Sequence, residues 1–150
     1  MDMTARFKAY KDLNREIDLQ IERLEQMETK AGSPSTPNLS GMPKGSSLQH
    51  DRIADAVARI ADLRSEIDSL IAERDAEQKA LDALIRRLPN TDGRLVLRLR
   101  YLDSEEWEDV VFIAYGGEPD FDEKYDNYKQ RIFRHHKKAL TELAAISENE

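Results

Sequence analysis

The chain has 150 residues, 39 % hydrophobic and 35 % charged, with a formal net charge of -7 and no cysteine. That length bounds it to one ordinary domain or two small ones, and a composition rich in charge and poor in core-formers suits long exposed helices. The cysteine count excludes a disulfide framework, a thiolate metal site and a cysteine nucleophile. No basic segment followed by an apolar run opens the chain, and no apolar stretch approaches the roughly 20 residues needed to cross a bilayer. A soluble cytoplasmic protein with no membrane partner is expected.

From Thr4 to Lys30, Tyr10, Leu13, Ile17, Leu24 and Met27 occupy successive a/d positions of a heptad, with Gln20 as the polar interruption. Phe7 and Ile21 widen the stripe. The pattern predicts one long amphipathic helix, and its spacing favours a coiled-coil partner. Residues 31–50 interrupt it with Gly32-Ser33-Pro34 and Gly41-Met42-Pro43. Proline lacks an amide donor and glycine carries a high entropic cost, so no helix is expected there. The segment reads as a flexible linker, or as a contact loop in which Leu39 and Met42 dock.

Asp51 is the expected N-cap of a second long helix. Ile53, Val57, Ile60, Ile67, Ile71, Leu81, Ile85 and Leu88 follow one heptad frame, broadened by Leu63, Leu70 and Leu84. Arg64, Arg74 and Gln78 are polar seam positions of the kind that fix register or partner choice. At about 1.5 Å per residue this helix is about 57 Å long and the first about 40 Å. The first is too short to cover the second, so part of the second must pack on the C-terminal elements or on another chain.

Pro89-Asn90-Thr91-Asp92-Gly93 punctuates the chain. Leu95, Val96, Leu99 and Leu102 then predict a short helix packed on one side. Asp103 and Glu106 stand at capping-box spacing before a helix marked by Trp107, Val110, Val111 and Ala114, which Gly116-Gly117 ends. The last helix is expected to start between Asp120 and Asn127 and end near Ile146, with a frayed tail. No strand-like alternation of useful length occurs.

Charge alternates by segment. Arg86 to Tyr101 sums to +4, Asp103 to Asp126 to -9, and Tyr128 to Leu140 to +5 with no acid. In the last stretch Ile132, Phe133, His136, Ala139, Leu140 and Leu143 recur at helical spacing, which leaves the cations on the remaining surface. A basic face on a helix packed from behind is what a polyanion reader needs. A charged solvated surface is the plain alternative.

Leu88-Pro89, Arg94 to Tyr101, Trp107 to Val111, Ile132-Phe133-Arg134, His136 and Ala139-Leu140 together resemble region four of bacterial sigma factors. More closely they resemble phage-encoded regulators of that type, the ArpU- and RinA-like late-transcription activators. Leu39 to Ser46 is similar to a linker phrase of the same group. The resemblance implies a helical fold whose last helix enters the major groove. By position Tyr128, Lys129, Arg131 and Arg134 match the part that meets DNA. Arginine and lysine address guanine edges and Gln130 adenine, whereas Arg98, Arg100, Lys137 and Lys138 suit phosphate contacts. Ile132, Phe133, Leu140 and Trp107 are expected in the core. About eleven residues, Gly116 to Asp126, exceed the family's tight turn, and their acids would repel phosphate.

The expected architecture is all-α. A long helical hairpin or coiled coil over 1–88, with the linker at 31–50, precedes a sigma region-four-like helix-turn-helix domain over 89–150 with an enlarged turn. The expected function is that of a phage or prophage DNA-binding transcriptional regulator in the host cytoplasm. Its partners would be double-stranded DNA, a second copy through the long helices, and host RNA polymerase. Two other readings stand beside it: a DNA-packaging protein resembling a small terminase subunit, and a coiled-coil adaptor that binds a protein through its acidic 103–126 segment. His135 and His136 point about 100° apart on a helix and cannot easily chelate one ion. With no phosphate loop or nucleophile motif either, no enzyme, cofactor or metal is expected.

Overall fold

A computed structural model describes residues 2–32 and 46–149. Among these residues all regular structure is helical: α1 (Met3–Gly32), α2 (Ser46–Arg86), α3 (Thr91–Leu97), a π turn (Arg98–Leu102), α4 (Trp107–Tyr115) and α5 (Tyr125–Glu148). The all-α class follows directly. Leu39, Met42 and the phrase ending at Ser46 lie largely outside the described residues.

Contacts divide the chain into two compact units, Met1–Asp12 with Asp75–Glu150, and Leu13–Arg74. Both long helices contribute a segment to each. In the first unit Met3, Phe7 and Tyr10 of α1 and Leu81, Leu84, Ile85 and Leu88 of α2 form one buried cluster with Leu97, Ala139 and Leu143. Full burial of side chains of this size contributes about 1.5–3 kcal/mol each. Phe7 stacks on Tyr101 with ring centroids 4.3 Å apart. Arg6 pairs with Glu77 at 2.6 Å. The second cluster of this unit joins Val96, Val110, Val111, Tyr128 and Ile132. In the unit Leu13–Arg74, Ile17, Leu63 and Ile67 are buried and Arg64 pairs with Glu28.

Local chemistry explains two of the helix starts. The Asp2 carboxylate accepts from the Thr4 amide at the start of α1, and the Asn90 side chain accepts from the Asp92 amide at the start of α3. Each satisfies one of the donors that a helix start leaves open. A Cβ at Gly93 would fall 3.2 Å from the Ala139 Cβ, so two small residues let α3 approach α5 closely.

Several expectations are corrected. Asp51 is not an N-cap: α2 begins at Ser46, because neither proline nor glycine follows Gly45 until Pro89. The break between the long helices is correspondingly shorter than 31–50, since α1 runs through Gly32. Ile21, Ile53 and Val57, assigned to apolar stripes, are exposed. The capping box does not form. The π turn carries the chain far enough that Asp103 closes it, donating its amide to the Arg98 carbonyl at 2.9 Å. Ser104 then takes a left-handed φ of 58°, and Glu106 becomes the N-cap of α4 without a side-chain bond. α5 continues through Ser147 and Glu148, which were expected to fray.

Candidate nucleic-acid interface

α5 is held from behind. Tyr128, Ile132, Ala139 and Leu143 are buried, and Phe133 meets the Trp107 ring edge-on at 5.2 Å. At about 100° per residue, Asn127, Gln130, Arg131, Arg134, Lys137, Lys138 and Thr141 fall within an arc of about 120° on the opposite side. All seven are exposed. Four are cations and none is an acid; beyond Thr141, the exposed Glu148 at the end of α5 shares the same arc. Lys129 is half-buried and lies about 80° outside this arc, its Nζ 5.9 Å from the Phe133 ring centre.

The charges on this face are largely unspent. Among the described residues no carboxylate pairs with Arg131, Arg134 or Lys137, and Lys138 meets Glu142 only at 3.9 Å. The acids of the turn between α4 and α5 do not neutralise them. Asp120 pairs with Lys124 at 3.4 Å and accepts the Tyr128 hydroxyl proton at 2.5 Å. That hydrogen bond is the main reason the Tyr128 phenol is pushed up to about 12 and the Asp120 carboxyl is held below its ordinary value. The turn itself is folded onto the core through Phe121, whose ring meets Phe112, Tyr125 and Tyr128.

Three expected DNA contacts sit elsewhere. Tyr128 is only 7 % exposed and belongs to the core, stacked on Tyr115 at 4.8 Å. It acts on the exposed face from beneath, with the Arg131 guanidinium 5.2 Å above its ring. Arg98 donates to Asp82 at 3.1 Å. Arg100 donates to the Glu105 carbonyl at 3.0 Å and lies over the Trp107 ring at 4.8 Å. Both arginines are engaged in joining elements, which their sequence neighbours do not reveal. Gln130, Arg131, Arg134, Lys137 and Lys138 remain on the exposed face, and Lys129 lies off it. Asn127 and Thr141, not expected among the contacts, share the face, and helical spacing from Arg134 locates both. Tyr115 also went unremarked. Burial raises its pKa, and Arg131 and Arg134 oppose that shift from the neighbouring helix.

The two histidines diverge. His135 faces Asp92 at 3.6 Å, whereas His136 shares a hydrogen bond of 2.6 Å with the Tyr101 hydroxyl. Burial, with the Arg100 charge beside it, lowers the His136 pKa. Among the described residues no group of three or more histidines or acids is placed to hold a metal, and no helix is long and apolar enough to cross a membrane. No family model, curated protein or solved structure matches this chain significantly.

Proposed function

We propose that the protein is a DNA-binding transcriptional regulator that lays the outer face of α5 against a duplex. The observation that carries this reading is the acid-free arc of Gln130, Arg131, Arg134, Lys137 and Lys138 on a helix whose other side is buried. Packing fixes the rod, so the cations meet phosphates and base edges without first ordering a segment. Arg131 and Arg134 are the base-edge candidates, since a guanidinium fork addresses guanine bidentately. Lys137 and Lys138 suit the backbone. In this reading α4 and α5 are the two helices of a helix-turn-helix, and the enlarged turn is a packed spacer. The exposed Ile53 and Val57 on the α2 heptad frame support self-association, which would let two heads engage adjacent half-sites.

Fluorescence anisotropy of a labelled duplex titrated across salt tests the proposal. Two phosphate contacts would give a log–log slope of about -1.8, which Lys137→Ala with Lys138→Ala would largely remove, whereas Arg131→Ala with Arg134→Ala would weaken binding and relax sequence preference. Absence of binding at low salt, or a slope indifferent to the substitutions, would sink the reading. Selection of bound fragments from the source genome then identifies the operator. Transcription from the selected promoter separates regulation from DNA packaging.

A further inference from the structure

The outward face of α4 has no role in the reading above. Phe112 is 62 % exposed and Ile113 52 %, and they are the exposed large apolar side chains of the unit Met1–Asp12 with Asp75–Glu150. Their neighbours Val110 and Val111 are completely buried, so α4 is apolar on both sides of its last turns. Phe112 is held in place: its ring meets Phe121 edge-on at 5.9 Å and lies across Gly116, where a Cβ would come within 2.8 Å of it. Glu108 and Asp109 open the helix beside this pair, and Glu118 follows it in the turn. All three are exposed, and among the described residues none is ion-paired.

We propose that this face docks an amphipathic helix of a partner protein, with Phe112 and Ile113 as anchors and Glu108, Asp109 and Glu118 facing a basic flank of that helix. The charge selects the occupant. Carboxylates repel both nucleic-acid phosphates and anionic lipid surfaces. The basic arc of a second copy's α5 holds no large apolar residue to meet the anchors. α4 spans about 13 Å, so roughly two to three turns of partner helix cover it. Apolar anchors within a polar rim are the usual anatomy of helix-in-groove and hot-spot contacts.

The test uses the full chain and three labelled synthetic helices: an amphipathic Leu/Lys peptide, the same peptide with Glu for Lys, and a scrambled Leu/Lys peptide. The Leu/Lys peptide should bind and the other two should not. Ile113→Ser should weaken that binding by tenfold or more while leaving thermal melting and duplex binding unchanged, and adding Phe112→Ser should abolish it. Asp109→Lys should weaken it as well and raise affinity for the Glu peptide. Equal binding of the scrambled peptide, or indifference to the Phe112 and Ile113 substitutions, would overturn the proposal. So would a dimer in sedimentation that these substitutions dissolve, since the face would then bind a second copy. Loss of duplex binding by Arg131→Ala and Arg134→Ala would leave it standing.

Discussion

α4 and α5 lean on one apolar cluster, Val110 and Val111 from the first and Tyr128 and Ile132 from the second, yet their outward faces carry opposite chemistry. α5 presents cations and amides without a large apolar side chain. α4 presents carboxylates around Phe112 and Ile113. Packing constrains the inner positions of both helices in the same way, so the outer positions are where the two differ. The comparison also shows that a segment's net charge is a poor guide to its field. The turn between these helices is strongly acidic, but Asp120 is directed at Tyr128 and Lys124 and supports the residue beneath Arg131.

The largest disruption should come from the shared support. Ile132→Ala removes a side chain that is 1 % exposed, and urea denaturation should show a loss of about 2–5 kcal/mol. Duplex and peptide binding should fall together. Gly116→Ala separates the two faces. Its Cβ would collide with the Phe112 carbonyl oxygen, so the end of α4 must shift, at a cost of about 1–3 kcal/mol. Peptide binding should drop while the duplex salt slope stays. Ser104→Gly, at the left-handed φ ahead of α4, should raise stability by about 1 kcal/mol in the same assay and change neither face.

The finest distinction is in pH dependence. The Tyr128 pKa is raised from 10.0 to about 12, so its contribution to stability is full below pH 10.0 and is lost as pH rises towards 12. The Asp120 pKa is lowered from 3.8, so its contribution is present above pH 3.8 and is lost as pH falls through the depressed value. Tyr128→Phe removes the bond between them. The variant should therefore show flatter stability curves at both extremes, measured by thermal melting across pH, with duplex binding at neutral pH weakened only through Arg131.

Helical periodicity made much of this legible. The 3–4 spacing of Phe7, Tyr10 and Ile17 marks the inner face of α1, and Ile132, Ala139 and Leu143 mark that of α5. Tyr128 stands four residues before Ile132 on the same stripe, but a phenol suits either a core or a contact surface, and its partner Asp120 is visible only once the turn is folded. The roles of Arg98 and Arg100 were equally hidden, because Asp82 lies sixteen residues upstream and the Trp107 ring is brought over by the chain reversal at Ser104. The start of α2 was misplaced because Asp51 is only one of several residues there that suit a cap. Capping chemistry is degenerate, whereas periodicity accumulates over many residues.

The wide turn at Arg98–Leu102 sets the angular phase of everything that follows it. Its bond from the Asp103 amide to the Arg98 carbonyl reaches back five residues, one more than in an ordinary helix. The segment therefore holds a surplus residue that regular winding would not need. A chain shortened by one position between Arg98 and Tyr101 could wind on as plain α-helix and still deliver Asp103 and α4 in nearly their present phase, because the wide turn spends five residues where regular winding spends four. A single-residue deletion in this stretch should therefore cost less than one inside α4 or α5, where every later side chain on the helix would be displaced by about 100°.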